Sequence, residues 1–329
     1  MGRLAPPLSQ TDGVPDGRWL FINANNTPRV ARIDLTRFET DEILQIPNAA
    51  GGHASPFTTP NTKYIVSATR FSVPIGAKRD VPIASYKENF KGTLSFITAD
   101  QPGKMDIAFQ ILMPGYNYDL GHAGKGPSEG WFFFTSYNSE GAYTKLEVNA
   151  SQNDKDYVAA VNYKKAEECV ASGKAKTMQA DYDHNYTDPK SRIATTEKKT
   201  SVKLLDPRDC EGVVYYLPTP KSPHGVDVDP TGEYIVAGGK LATVIPVHSF
   251  TKLAKAIEAK QSIRRSTASA LLQLPGQTAD LKVTLAPGKY YFQCDPHAAL
   301  GMKGHLKRGS ESKCIVRMLG VRSNDAFRL

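Results

Sequence analysis

The 329-residue sequence has no apolar run approaching the roughly 20 residues that a membrane-spanning helix needs, and Met1–Leu20 shows neither a twin-arginine pair nor an apolar signal core. It therefore reads as a chain without a membrane span and without a signal peptide. Cysteine is scarce. The four residues, Cys169, Cys210, Cys294 and Cys314, are too scattered for a disulfide scaffold, and no CxxC pair suggests zinc. Blocks of one charge are also missing. The formal net charge is +8, but Lys and Arg alternate with Asp and Glu over most of the length, which argues against a nucleic-acid partner. The densest basic stretch, Lys303 to Arg322, reads either as a solvated tail or as a surface for an acidic electron-transfer partner.

What is present is ordinary for a soluble globular protein: 40% hydrophobic residues, 22% charged residues and enough length for one large core or two smaller ones. Short segments rich in β-branched and aromatic residues and bounded by Pro, Gly, Asn and Asp predict strands at Arg18–Asn23, Arg29–Leu35, Lys63–Ala68, Thr93–Thr98, Ala108–Leu112, Trp131–Ser136 and Tyr157–Asn162. Two stretches, Pro15–Asn23 and Asp229–Ala237, share a turn of Asp, Pro and Gly that feeds a strand, a unit that suits propeller blades. Helical periodicity is confined to Tyr163–Ala171 and Ser249–Ala259. The polar segment Asp181–Thr200 reads as a long loop or inserted excursion, and a boundary falls within Lys260–Ala270.

Two constellations carry chemistry. In Cys294-Asp-Pro-His297-Ala-Ala-Leu-Gly-Met302, thiolate, imidazole and thioether follow a strand on one loop, a donor set of graded softness that fits a mononuclear copper with methionine as the weak ligand. The alternative is a buried cysteine, an exposed histidine and a gap-filling methionine. The loop resembles the C-terminal ligand loop of pseudoazurin-type blue copper proteins, which implies that Cys294, His297 and Met302 are the ligands. No histidine lies between the boundary and Cys294. The second constellation is Pro223-His224-Gly225 at the mouth of a strand, where the ring is free to turn away from its own backbone; taken alone, such a residue is more often a loop histidine hydrogen-bonded to backbone than a ligand. Of the remaining histidines, His248 is expected at the strand-to-helix turn, His184 is expected to face solvent, and His122 and His305 carry no motif support.

Asp16–Asn23, Arg29–Leu35, Tyr137–Glu140, Asn153–Tyr157 and the stretch from Pro223 to Phe250 together resemble the nitrous-oxide reductase family over residues 5 to 260. The wording of Glu147–Asp156 is similar to the branch exported by the general secretory route. The resemblance implies a seven-bladed β-propeller, a four-copper sulfide cluster held by seven histidines, and a cupredoxin domain with a binuclear copper centre. It implies that His224 and, less directly, His53 are copper-cluster ligands, with a Gly-flanked surface histidine as the alternative for His53. It further implies a calcium ion held by Tyr137, Glu140 and Asp156, for which the alternative is a hydrogen-bonded turn. Nitrous oxide as substrate, a small electron donor such as a cytochrome c or cupredoxin, a homodimer and a periplasmic setting follow from the same resemblance.

The expected fold is mainly β: a partial seven-bladed-type propeller over 1–260, a linker or junction over 261–270, and a short, incomplete cupredoxin-like fragment with an irregular tail over 271–329. With seven histidines in all, the sequence is expected not to complete the family's cluster, whether as a fragment, a rearranged form or an inactive scaffold.

Overall fold

The computed structural model describes residues 17–52, 57–58, 63–75, 89–98, 104–138, 156–188, 190–219, 223–238 and 244–260, together with the strands at 267–271, 278–283, 288–293, 303–308 and 314–319. In chain order the elements are β1 (Trp19–Asn23), β2 (Arg29–Asp34), β3 (Glu39–Gln45), β4 (Ala50–Gly52), β5 (Phe57–Thr58), β6 (Tyr64–Phe71), β7 (Val73–Pro74), β8 (Phe90–Thr98), β9 (Asp106–Met113), β10 (Asn117–Ala123), β11 (Trp131–Asn138), β12 (Tyr157–Asn162), helix α1 (Tyr163–Ala171), β13 (Lys176–Thr187), β14 (Ala194–Leu205), β15 (Val214–Pro218), β16 (Val226–Val228), β17 (Tyr234–Ala237), β18 (Val244–Ser249), helix α2 (Phe250–Glu258), β19 (Thr267–Leu271), β20 (Thr278–Val283), β21 (Gly288–Gln293), β22 (Lys303–Arg308) and β23 (Cys314–Leu319). The protein is mainly β, as the distribution of β-branched and aromatic residues predicts.

Three antiparallel four-stranded runs, β4-β6-β8-β9, β10-β11-β12-β15 and β16-β17-β18-β19, follow one another along the chain. The first is continuous with β1-β2-β3-β13-β14 through a parallel contact between β14 and β9. Strands buried on both faces explain how the sheets stack. In β11, Phe132 and Phe134 point into the core shared with Leu94, Phe96, Phe109 and Ile111, while Phe133 points the other way, toward Val226, Ile235 and Leu253. Successive side chains of a strand alternate between faces, so a run of three phenylalanines serves two cores at once. Ile65, Ile97 and Ile107 do the same on the far face of the first blade, where they meet Trp19, Phe21, Val30, Leu44 and Tyr182. Each fully buried phenylalanine contributes roughly 1.5–3 kcal/mol relative to exposure. Four-stranded sheets stacked face to face, each fed by the preceding one, are the arrangement of propeller blades.

Both helices lie where the periodicity places them. Asn162 caps α1 by accepting from the Lys165 amide at 3.0 Å, and Ser249 caps α2 by accepting from the Lys252 amide at 3.2 Å. Tyr163, Ala166 and Cys169 face inward from α1; Phe250, Leu253 and Ala256 do so from α2. The Asp229 turn forms as read: its carboxylate accepts from the Thr231 amide and hydroxyl and from the Tyr234 amide. Gly232 is required there, since it sits at φ +77° and a Cβ would lie 1.7 Å from the Lys125 carbonyl oxygen.

Three expectations are corrected. Asp181–Thr200 is not a loop but most of a hairpin, β13 with β14, whose inner face carries Ala180, Tyr182 and His184 while Lys, Thr and Glu face out. The outer face alone gives the segment its polar look. His184, expected in solvent, is 1% exposed because it falls on that inner face. The tail after Arg308 contains a strand, β23, antiparallel to β20; its run Cys-Ile-Val-Arg-Met-Leu has no alternation to announce it. In addition, two of the four scattered cysteines, Cys169 on α1 and Cys210, form a disulfide across 41 residues.

Candidate metal site at the end of the second and third blades

The innermost strands of the second and third blades, β10 and β16, lie side by side. The His122 Nδ1 accepts from the Val228 amide at 2.8 Å, and a Cβ on Gly225 would sit 3.3 Å from Leu120, so the two strands run in the same direction. His224, just before β16, therefore comes level with the start of β10. There it meets Asp119, whose Oδ2 is 3.9 Å from His224 Nε2. Asp119 is wholly buried, and its Oδ1 accepts from the Leu120 amide at 2.8 Å; the His224 side chain is 24% exposed. At 3.9 Å the contact is electrostatic, beyond hydrogen-bond reach.

Asp156 belongs to the same end of the second blade. Register pairs Asn117 with Asn138 and Tyr157 with Pro218, which brings the start of β10, the end of β11, the start of β12 and the end of β15 together. Asp156 is 2% exposed, and its carbonyl accepts from the Thr219 amide at 3.1 Å. Ser136 and Tyr157 lock the neighbouring rung, with the Tyr157 amide donating to Ser136 Oγ at 2.9 Å. The backbone of Tyr137 is thus one rung from Asp156 on the adjoining strand. Beneath this end lie Tyr116, Tyr157 and Tyr216, with ring centroids about 6 Å apart, and burial pushes the Tyr216 hydroxyl far above its ordinary range.

The fold places His224 beside Asp119 of β10, whereas Asp156 precedes β12, two strands along the same sheet. His53, Glu140, Cys294, His297 and Met302 lie outside the described residues, as does the side chain of Tyr137. Asp119 was not anticipated from sequence. Its signal is a carboxylate inside the strand Asn-Tyr-Asp-Leu-Gly-His-Ala, where a charged residue is costly to bury without a purpose or a partner. Of the other described histidines, His122 accepts from the Val228 amide between β10 and β16, His184 Nε2 is 2.8 Å from Glu42 Oε2 in the first sheet, and His248 is buried in β18, where desolvation lowers its pKa to about 4. Among the described residues no three His, Cys, Asp or Glu side chains converge into a metal-holding group. A hard cation asks for several oxygen donors and a copper cluster for several imidazoles, and the described residues alone supply neither set.

Comparison with known proteins accords with the β architecture and the copper-type loop. The family described as copper binding proteins of the plastocyanin/azurin type matches residues 213–308, a stretch that contains Cys294, His297 and Met302. Nitrous-oxide reductase of Pseudomonas fluorescens is 30% identical over 251 residues, and that of Stutzerimonas stutzeri is 28% identical over the same length; each alignment covers 75% of this chain and 35% of the relative. The chain thus spans about a third of the length of the curated relatives it matches. Among solved structures, the β-propeller domain of Cps50 (Swd1) from Myceliophteria thermophila aligns with 76% of this chain and 65% of its own at 8% identity and a TM-score of 0.32. The chain is similar to the nitrous-oxide reductases over three quarters of its length, and residues 213–308 match the plastocyanin/azurin copper-binding family.

Proposed function

We propose that the chain serves in copper-dependent reduction of nitrous oxide to dinitrogen, the chemistry of denitrification, as one part of a larger ligand set. The observation that carries this reading is the 30% identity with a nitrous-oxide reductase over 251 residues. The position of His224, a quarter of its side chain exposed at the mouth of an innermost strand, suits a copper ligand, and His53 is a further candidate. The reaction takes up two electrons and two protons for each nitrous oxide and releases dinitrogen and water. No step is assigned to residues of this chain, because a seven-histidine shell would need all seven histidines present and His184 and His248 are built into other parts of the fold. The missing ligands come from polypeptide outside these 329 residues.

A calcium ion on Tyr137, Glu140 and Asp156 accords with a buried carboxylate just before the start of β12, the strand that pairs with β11. A periplasmic setting is supported by the Cys169–Cys210 disulfide, since such bonds persist in oxidising compartments. A small electron donor, a cytochrome c or a cupredoxin, and a homodimer complete the reading.

The test is nitrous oxide consumption, followed by gas chromatography with a reduced viologen dye. The isolated chain, loaded with copper and sulfide, is expected to bind fewer than four coppers and to leave nitrous oxide untouched. Production together with the coding DNA on both sides is expected to give turnover that His224→Ala abolishes. Turnover unaffected by His224→Ala, or none under either condition, overturns the reading. A second reading, an electron-transfer module on Cys294, His297 and Met302, is favoured by the copper-binding match over 213–308. It expects one copper per chain and an intense blue colour lost in Cys294→Ala.

A further inference from the structure

Buried hydroxyls in and beside the second blade have acceptors. Thr93 Oγ1 donates to the Asn48 carbonyl at 2.8 Å, Thr135 Oγ1 to the Leu120 carbonyl at 3.4 Å and Ser136 Oγ to the Tyr157 carbonyl at 3.3 Å. That is the ordinary condition of a buried polar group. Thr219 departs from it: its Oγ1 is sealed from solvent and has no hydrogen-bond partner. Valine has the same shape and the same preference for extended backbone, and it would leave no unpaired hydroxyl behind. Folding alone therefore gives no reason for threonine at this position.

The register of the sheet says what Thr219 stands next to. β15 runs antiparallel to β12, with Leu217 opposite Val158 and Pro218 opposite Tyr157. The pairing continues one step further, where the Thr219 amide donates to the Asp156 carbonyl at 3.1 Å. Residues directly opposite each other in an antiparallel pair share a face, with their Cβ atoms about 4.5–5.5 Å apart. Residues two apart along a strand also share a face, and Val158 and Leu217 both belong to the core between the second and third blades. Thr219 and Asp156 are thus neighbours on the side turned to the third blade. Asp156 is 2% exposed, and the Thr219 hydroxyl does not donate to its carboxylate although the two are side by side.

We propose that Thr219 Oγ1 is an oxygen ligand of the calcium ion proposed for Tyr137, Glu140 and Asp156, an inference that rests on that reading. Calcium takes about six to eight hard oxygen donors, more than three side chains readily supply. The carboxylates of Asp156 and Glu140 already balance its two positive charges. A further donor is best neutral, because another carboxylate would have to be buried as an uncompensated charge. A threonine hydroxyl meets that need, and binding a cation accounts for an oxygen that is buried beside a carboxylate with its lone pairs unused.

The test uses the full chain, stripped with EGTA, with calcium chloride as the probe. Binding is read by isothermal titration calorimetry and by the rise in melting temperature that calcium produces. The natural chain is expected to bind one calcium ion, and Thr219→Val to bind it at least about tenfold more weakly with a smaller rise in melting temperature. Thr219→Ser, which keeps the hydroxyl and loses the methyl group, is expected to stay within about threefold of the natural chain. Without calcium, Thr219→Val is expected to melt no lower than the natural chain, since it removes an unpaired buried hydroxyl. The ligand assignment is overturned if Thr219→Val binds calcium undiminished, or if Thr219→Ser loses as much affinity as Thr219→Val, which would place the effect in packing. Asp156→Asn tells this failure from failure of the calcium reading itself. Calcium lost in Asp156→Asn but kept in Thr219→Val removes Thr219 alone from the site. A natural chain that binds no calcium, or Asp156→Asn that binds it undiminished, overturns both.

Discussion

Two buried constellations of this protein each set one histidine among carboxylates, and they are built in opposite ways. In the first sheet, Arg32 donates to Asp41 at 2.6 and 3.0 Å and to Glu42 at 2.5 Å, while the other oxygen of Glu42 accepts from the Met105 amide at 2.5 Å and lies 2.8 Å from His184. Every group there is short-bonded, and His184 is 1% exposed. At the end of the second and third blades, His224 stands 3.9 Å from Asp119 with a quarter of its side chain in solvent. A closed network satisfies its own desolvation cost and has nothing to offer a ligand. An imidazole at the mouth of a strand, 3.9 Å from the buried Asp119 carboxylate, keeps a face open to solvent. The difference separates a sealed histidine bonded to Glu42 from one that keeps contact with solvent.

The largest effect expected from this contrast is in the closed network. Glu42→Ala leaves the Arg32 charge, the Met105 amide and His184 buried without their shared acceptor, and is expected to cost about 3–5 kcal/mol in urea unfolding. Asp119→Asn keeps an acceptor for the Leu120 amide and is expected to cost about 1 kcal/mol. Equal losses would erase the distinction. Next in size is the tie that anchors the second blade from outside, the Cys169–Cys210 disulfide. Replacing both cysteines by serine opens a loop of 41 residues and is expected to cost roughly 2–4 kcal/mol, read as a lower urea midpoint with an altered slope. That loss should leave the short bonds around Glu42 in place, which hydrogen exchange at the Met105 amide would show as retained protection in the folded state.

The contrast also explains what the sequence made legible. Strands that bury aromatic and β-branched residues, such as Trp131–Asn138 and Tyr157–Asn162, announce themselves because local composition and tertiary environment agree. The two helices and the Asp229 turn do so as well, since caps and turns are local chemistry. The β13–β14 hairpin did not, because one face is solvated and its Lys, Thr and Glu outnumber the inward Ala180, Tyr182 and His184. His184 was misplaced for the same reason: its acceptor is 142 residues away, at Glu42, and no local pattern reports a partner at that distance. The Pro-His-Gly setting singles out His224 in the sequence, but nothing local singles out Asp119, because its place beside His224 is fixed by the packing of β10 on β16. Cys294, His297 and Met302 carry the copper signal in sequence and lie outside the described residues, so that reading rests on their spacing and on the copper-binding match.

His248 extends the comparison to a third histidine, one in neither constellation. It is wholly buried in β18, and desolvation lowers its pKa to about 4. The unfolded chain binds this proton near pH 6.5 and the folded one only near 4, so the stabilising effect is complete above 6.5 and is lost as pH falls through 4. The expected loss between pH 7 and pH 4 is roughly 3 kcal/mol, and His248→Gln should flatten that part of the stability profile. A profile unchanged by the substitution would mean that other groups carry the acid sensitivity.

The smallest expected number is the most direct measure of the contrast. In a double-mutant cycle of Asp119→Ala and His224→Ala, the coupling is expected below about 0.5 kcal/mol, because the 3.9 Å contact lies outside hydrogen-bond range and solvent reaches the imidazole. The same cycle on Glu42 and His184, a 2.8 Å contact with both side chains nearly sealed, is expected to give about 1.5 kcal/mol or more. The pair of cycles measures how firmly each imidazole is held by its carboxylate neighbour, loosely at 3.9 Å and tightly at 2.8 Å. A coupling at His224 as large as that at His184 would make it a second structural histidine, and the case for this strand end as a metal site would then rest on Asp156 alone.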